Sequence, residues 1–500
     1  MNIADALAHH VRARPEQAAV LAGERVLRYG ELDGAVRRWA AHLLACGARR
    51  GEVMGVALRD SIEHLLALYA GARLGAVLLP MDWRWTEAEK VAVAGHFGAR
   101  LVLAEPDAPA LPGHACLAVD EAFLAACDAA PEDTDFPEGA GCAAMPLLLS
   151  LSSGTTGRPK GPVLTHGQLL ARFWTHWIDI GLNSRQTYLS ATPLYFGGGR
   201  SFAMSQLFSG GTVVLFPPPF RPHELVAEAE RRGATAAFLV PTQFRRLLDL
   251  PDGALEPLRR MRLLLSSGAP LHPWERRAIR DRICAGFHEY YGSTEGGGVS
   301  LLKPGDVDRH EDSVGRPVFG VEVAILDDED RPMPAGGVGR IAYRGPGVCG
   351  GFFRDPDADA EAFRGGWYLP GDLASVNEAG FVFLKGRRKD MIIRGGANIY
   401  PAEVEAVLLG DPALSDAAVL GWPSQELGEE VAAFVVPRPG AAPQPEELVA
   451  RCAARLAPYK VPRGVFVVAE LPRNSAGKVL KTELAARLPP REASRGGDRR

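Results

Sequence analysis

Leu151-Ser152-Ser153-Gly154-Thr155-Thr156-Gly157-Arg158-Pro159-Lys160-Gly161 is the stretch that decides how this chain reads. Gly154, Gly157 and Gly161 allow close approach of the backbone and positive φ, which turns N–H groups toward an anion. Ser152, Ser153, Thr155 and Thr156 add hydroxyl donors, and Lys160 adds a point charge that suits phosphate. The make-up is that of a loop that wraps a polyphosphate. Pro146-Leu147-Leu148-Leu149 before it reads as a buried strand, and Gln168–Trp177 after it as a helix. The spacing is not the GxxxxGK[ST] of P-loop nucleotide hydrolases. The one Gly-Lys pair, Gly477-Lys478, is followed by Val479 and has Pro472 where that motif's first glycine would fall. Gly, Ser and Thr together more often make a plain surface turn, so the rest of the chain must decide between the two.

A chain of 500 residues exceeds one compact core, and two or more domains are expected. Hydrophobic residues at 47% and charged residues at 23% describe an ordinary soluble globular protein. A net charge of −4 with both signs interspersed argues against nucleic-acid or anionic-membrane partners. The polar first thirty positions do not read as a signal peptide, and no apolar run approaches a membrane span. The seven cysteines are scattered without CxxC pairing, which fits thiols in a reducing cytoplasm.

Along the chain the pattern is α/β. Ile3–Ala13 and Glu31–Cys46 read as helices, and Ala18–Ala22, Val53–Ala57 and Ala76–Leu79 as strands, with Glu63–Leu74 a helix between the last two. The rhythm resumes with strands at Gly211–Phe216, Thr235–Val240 and Met261–Leu265 and helices at His223–Arg232 and Pro273–Arg282. After Gly315 the segments become shorter and strand-rich. Beyond the charged Gly386-Arg387-Arg388-Lys389-Asp390, a compact α+β pattern follows: helix Pro401–Leu409, strands Ala417–Gly421 and Val431–Val436, helix Glu446–Leu456. These observations predict a large multi-subdomain α/β domain over 1–385, a polar connection at 386–390, a small α+β domain over 391–488 and a disordered tail over 489–500.

Five further motifs stand in order after the glycine-rich stretch. They are Ser266-Ser267-Gly268-Ala269-Pro270, Tyr291-Gly292-Ser293-Thr294-Glu295, Trp367-Tyr368-Leu369-Pro370-Gly371-Asp372, Gly386-Arg387-Arg388-Lys389-Asp390 and Pro472-Arg473-Asn474-Ser475-Ala476-Gly477-Lys478. With them the chain resembles the adenylate-forming superfamily from near its N-terminus to about Leu484. That superfamily joins acyl- and aryl-CoA synthetases, peptide-synthetase adenylation domains and luciferases, and the resemblance is strongest to the CoA ligases.

The resemblance implies a carboxylate attacking the α-phosphate of ATP and expelling pyrophosphate, followed by transfer of the acyl group to a thiol. Such a reaction crowds negative charge, so the protein's task is to neutralise and position it. It implies that Ser152, Ser153, Gly154, Thr155, Thr156, Gly157 and Lys160 hold the β- and γ-phosphates. Thr294 would contact the α-phosphate, and Glu295 would hold Mg²⁺, a hard cation that prefers carboxylate oxygen. Tyr291 and Gly292 on one side and Ser267, Gly268 and Ala269 on the other would sandwich the adenine. Asp372, an acceptor-only carboxylate, would take both ribose hydroxyls, and Arg387 would reach the ribose or a phosphate. Lys478 would bridge the attacking carboxylate and the α-phosphate, so its loss should cost more in adenylation than in thioester formation. The resemblance makes 386–390 a hinge and the small domain mobile, rotating about Lys389 between the two half-reactions and bringing up Gly395-Gly396 for a pantetheine arm; on composition alone that pair is also a turn between strands.

The acyl pocket falls, by the same resemblance, among Trp174, Trp177, Phe196–Arg200, Phe238–Pro241, Ser267 and Gly296–Gly298, with Trp174, Phe196, Gly197, Phe238 and Gly296 foremost. Two Gly triplets suggest room for a bulky group, although an aromatic stripe also suits plain core. Phe196 stands where many acyl-CoA synthetases have His, and Pro370 where the superfamily has Thr or Ser. Gly197 replaces the Asp that binds an α-amino group in peptide-synthetase domains, which disfavours an amino acid substrate. Arg200 is either a partner for a second carboxylate or a surface or structural arginine.

These expectations make the chain a cytoplasmic, ATP- and Mg²⁺-dependent ligase of coenzyme A with an aromatic or medium/long-chain carboxylic acid; a homodimer stays open. The alternatives are loading of a carrier-protein phosphopantetheine and a non-catalytic nucleotide- or acyl-binding regulator.

Overall fold

The computed structural model of the chain describes residues 1–151, 160–473 and 479–489. Ser152, Ser153, Gly154, Thr155, Thr156, Gly157 and Lys478 therefore lie outside the described residues. The chain divides into two compact units: 1–323 with 342–370 and 380–382, and 324–341 with 371–379 and 383–500.

The first unit is built on two sheets, and the α/β expectation holds. One sheet has nine strands in the order Arg316–Pro317, Gly297–Leu302, Phe287–Ser293, Leu263–Ser266, Ala236–Leu239, Thr187–Ser190, Thr212–Leu215, Ala18–Ala22, Arg25–Arg28, parallel from Phe287–Ser293 to Ala18–Ala22. The other runs Ala115–Ala118, Leu101–Ala104, Val53–Ala57, Val77–Pro80, Pro146–Leu149, Val163–Thr165, with only the last pair antiparallel. Alternate residues of the central strands face opposite layers. Tyr188, Ala236, Phe238 and Leu265 join one core, and Leu189, Ala237 and Leu264 the core on the other face.

Helix Ile62–Leu74 is apolar almost all round, as a helix buried within a protein must be. Ser61 caps its start, accepting from the His64 N–H, and Gly75 at φ 79° closes its end. A Cβ on Gly71 would lie 2.4 Å from Leu78 and 2.9 Å from Met54, so glycine lets the helix sit directly on the second sheet.

The helix expected over Gln168–Trp177 begins two residues earlier and spans His166–Thr175, because Thr165 and Gln168 form a capping box. A π-turn over His176–Ile180 follows and ends at Gly181, φ 82°.

In the second unit a long hairpin, Leu414–Ser424 against Gly428–Pro437, carries a helix layer on each face. Val419, Val431 and Val435 pack with Val404, Leu408, Leu448 and Cys452 from helices Pro401–Leu409 and Pro445–Ala453. Leu420 and Phe434, on the other face, pack with Leu471 and Leu484. Among the described residues no helix is long and apolar enough to cross a membrane, and all seven cysteines are free thiols.

Candidate active site

Ser293–Gly296 is the turn between antiparallel strands Phe287–Ser293 and Gly297–Leu302, and it presents Thr294 and Glu295. Its conformation is imposed from outside the hairpin. Ser293 Oγ accepts from Gly296 N at 2.8 Å and meets the Tyr343 hydroxyl at 2.7 Å. Cys349 N donates to the Glu295 carbonyl at 2.9 Å. Arg172 then donates to three carbonyls: Gly347 at 2.8 Å, Thr294 at 3.1 Å and Glu295 at 2.7 Å. Its guanidinium is buried, and burial holds its pKa below the ordinary arginine value.

Glu295 is only 9% exposed, and the Tyr368 phenol lies close enough to feel its charge. Burial pushes the Tyr368 phenol well up, with the neighbouring Glu295 charge adding to it, so it remains a donor. Arg172, Tyr343 and Tyr368 escaped the sequence reading, which singled out the residues offered to ligand and not those behind them. Tyr368 lies inside the Trp367–Asp372 motif and was the one with a signal available.

The donor set suits Mg²⁺ carried in on a triphosphate. No group of three or more His, Cys, Asp or Glu side chains among the described residues could cage a metal. One buried carboxylate is what Mg²⁺ uses when substrate phosphates and water complete its shell.

Ser267, Gly268 and Ala269 follow the C-terminal end of Leu263–Ser266, and Tyr291 lies near the end of the adjacent parallel strand, where Ser266 pairs with Glu289. Both segments thus open outside the carboxyl ends of neighbouring strands, the ligand-binding edge of an α/β sheet. Gly268 takes φ 99°, which its position after the strand requires.

Lys160 is half-buried, its ammonium 5.3 Å from the centre of the Phe352 ring and 3.8 Å from the exposed carboxylate of Glu361. Gly161, read from sequence as a phosphate-approach glycine, has another reason: a Cβ there would lie 2.4 Å from the Phe97 ring.

The second unit holds the remaining described candidates. Asp372 opens strand Asp372–Val376 and pairs with Arg387 at 3.1 Å, at the end of strand Val382–Arg387. Lys389 is exposed in the short turn Arg388–Asp390. Gly395 and Gly396, at φ 57° and 83°, link strands Ile392–Arg394 and Ala397–Ile399, and two successive positive φ values are what a tight type I′ hairpin turn demands.

Phe238, a candidate for the acyl side, belongs to an aromatic wall inside the core. Phe202, buried at its centre, stacks on His176 at 4.2 Å and lies 5.0 Å from Phe238 and 6.2 Å from Tyr290. Burial pushes His176 down to about 3, with Arg172 acting in the same direction, so the wall imidazole is neutral. Phe238 is core at 2% exposure, Phe196 is half-buried, and Trp174 stands 37% exposed.

The two Gly triplets do not leave the room expected of them. Cβ atoms would fall 2.7 Å from Phe238 at Gly198, 2.3 Å from the Thr192 carbonyl at Gly199, 2.2 Å from Tyr343 at Gly296, 2.8 Å from Arg172 at Gly297 and 1.6 Å from the Tyr290 hydroxyl at Gly298. Only Gly197 of the six meets nothing within 4 Å. Gly199→Ala should therefore cost about 1–3 kcal/mol in urea unfolding. Gly197→Ala should unfold like the parent while changing the KM for the acid. Equal unfolding of the two variants would contradict this packing.

Arg200 is no surface arginine and no free receptor for a second carboxylate. It is 2% exposed and its guanidinium is engaged by Leu194 O, Tyr195 O and Ser150 Oγ.

The model of the AMP-binding enzyme family matches residues 7–353, and that of the AMP-binding enzyme C-terminal domain matches residues 403–478. The chain belongs to the AMP-binding enzyme family. It is 35% identical to a feruloyl-CoA synthase of an Amycolatopsis species over 483 residues, covering 95% of this chain and 97% of the relative. It is 33% identical to 2-succinylbenzoate–CoA ligase of Geobacillus kaustophilus over 488 residues, 96% of each chain. Its fold superposes on ATP-bound MatB from Rhodopseudomonas palustris with a TM-score of 0.90 at 29% identity, covering 97% of this chain and 99% of that one.

Proposed function

We propose that this enzyme is a carboxylic acid–CoA ligase whose preferred acids are aromatic. The observation that carries the reading is the braced Ser293–Gly296 turn, which holds a buried Glu295 carboxylate beside Thr294 at the sheet edge where Ser267–Ala269 and Tyr291 open. A fixed carboxylate and a cradle of donors are what charge-crowded acyl-adenylate chemistry needs. The acid's oxygen attacks the α-phosphorus, the bond to the bridging oxygen of pyrophosphate breaks, and the acyl-AMP then yields its acyl group to the CoA thiol with release of AMP. When bound, Mg²⁺ supplies neutralisation of the triphosphate, with Glu295 the residue that would hold it. Thr294 orients the α-phosphate, Lys160 faces the outgoing phosphates, and Lys478 is assigned the charge of the attack itself.

The aromatic preference draws on the aryl acids named for two relatives. Gly197 offers no carboxylate for an α-amino group. Free cysteines throughout fit a cytoplasmic setting.

Pyrophosphate release against a panel of aryl, short-, medium- and long-chain acids and diacids, with and without CoA, tests the reading. CoA-dependent turnover on aryl acids, yielding AMP and thioester, is the expected result. A single burst that CoA cannot convert to turnover would replace CoA by a carrier-protein thiol. Turnover confined to aliphatic acids would overturn the aromatic assignment.

A further inference from the structure

The mechanism leaves unused a polar brace around the turn that carries Phe196. Leu194 N donates to Asp60 Oδ1 at 2.8 Å. Arg200 donates from Nη1 to the carbonyls of Leu194 at 3.2 Å and Tyr195 at 2.9 Å, and from Nη2 to Ser150 Oγ at 2.8 Å. The Tyr195 hydroxyl accepts from Arg84 Nη2 at 2.7 Å, and Arg84 also grips Asp82 at 2.7 and 3.0 Å. Leu194 N, Leu194 O and Tyr195 O are thereby each tied to a side chain.

Arg200 is the connecting piece. Ser150, 5% exposed, directly follows strand Pro146–Leu149 and directly precedes the glycine-rich stretch in sequence. Phe196 caps helix Gly197–Ser209, and Arg200 sits in that helix's first turn with its own N–H on the Phe196 carbonyl at 3.0 Å. One side chain thus spans the helix that starts at Phe196 and the strand that ends at the glycine-rich stretch. Burying a guanidinium on neutral acceptors is costly, and among the described residues no carboxylate pairs with it; burial pushes its pKa down to about 9. A merely structural link would be made more cheaply by an apolar residue or an amide. Retention of a rigid five-donor fork fits a part whose task is fixed geometry between two segments.

We propose that Arg200, with Asp60 as its counterpart on the Leu194 N–H, is a positioning residue that locks the Phe196 turn to the Ser150 strand end, so that acid and ATP binding both depend on this one link. This rests on the ligase reading for its kinetics but not for its binding test.

The test pairs Arg200→Lys, which keeps the charge and loses the fork, with Ser150→Ala, which removes only the acceptor, and with the double variant. ATP binding without acid is measured by calorimetry, and adenylation and thioester formation from a synthetic acyl-adenylate are measured separately. Each single change should weaken ATP binding and raise the KM for the acid roughly tenfold, the scale of one lost charge-assisted hydrogen bond. The double variant should be no worse than Arg200→Lys, and thioester formation should stay close to the parent rate. Additive losses, or a lowered unfolding temperature with unchanged ATP affinity and acid KM, would overturn the proposal. If the parent protein turns over no acid at all, the ligase reading falls, while calorimetric coupling of Ser150 and Arg200 still decides the brace.

Discussion

Glu295→Gln should lower the rate of acid-dependent pyrophosphate release by about 10²–10³, the range seen when one preorganised charge-stabilising group is removed. The substitution is nearly isosteric, so the unfolding temperature should hardly move. What is lost is a formal negative charge at a site only 9% exposed, where a cation on the triphosphate would otherwise be neutralised and oriented. Two contrasts make the result diagnostic. Thioester formation from a synthetic acyl-adenylate should be affected far less, because no polyphosphate is present in that step. Tyr368→Phe should produce a smaller loss, since it removes only a neighbouring phenol and leaves the carboxylate charged. The comparison is read as kcat against KM for ATP at saturating magnesium. Adenylation by Glu295→Gln at close to the parent rate would remove Glu295 from the mechanism.

The strands Ala18–Ala22, Val53–Ala57 and Pro146–Leu149 and the helix Pro401–Leu409 were legible to the residue, because each is an apolar or proline-started run bounded by breakers. The hairpin Leu414–Ser424 with Gly428–Pro437 is longer than its apolar centre suggested: Trp422, Pro423 and Ser424 become strand by pairing with Glu430, Glu429 and Gly428, which local composition does not encode. The site divides in the same way. Thr294, Glu295, Asp372 and Tyr291 are legible as candidates because their motifs stand in order. Arg172 and Arg200 are not, since their partners are backbone carbonyls and a serine hydroxyl that only the folded chain brings near. Gly198, Gly199, Gly296 and Gly298 were misread for the same reason. A glycine beside a pocket and a glycine jammed against Tyr290 or Thr192 look alike until the neighbour is known.

Arg172→Met is expected to be the most damaging single change to the turn that presents Glu295. Methionine fills much of the volume but donates nothing, so the carbonyls of Gly347 and Thr294 lose the donor they have from Arg172, while Glu295 O keeps Cys349 N. Leaving buried acceptors unsatisfied costs about 1–3 kcal/mol each, so a loss of about 2–5 kcal/mol in urea unfolding of the full chain is expected. Activity should fall further than stability explains. A turn freed to relax by an ångström can cost about 10²-fold in a positioned reaction, and the deficit should appear in adenylation at a low temperature where the variant remains folded. Arg172→Lys separates geometry from charge. One ammonium cannot reproduce a fork bonded to three carbonyls, so if geometry matters most, lysine will resemble methionine in rate. If the buried positive potential matters most, lysine will resemble the parent. Arg200 already lies in the field of Arg172, which adds to the burial that lowers its own pKa. Near-parent stability together with near-parent adenylation in Arg172→Met would show that the hairpin holds Glu295 without this brace.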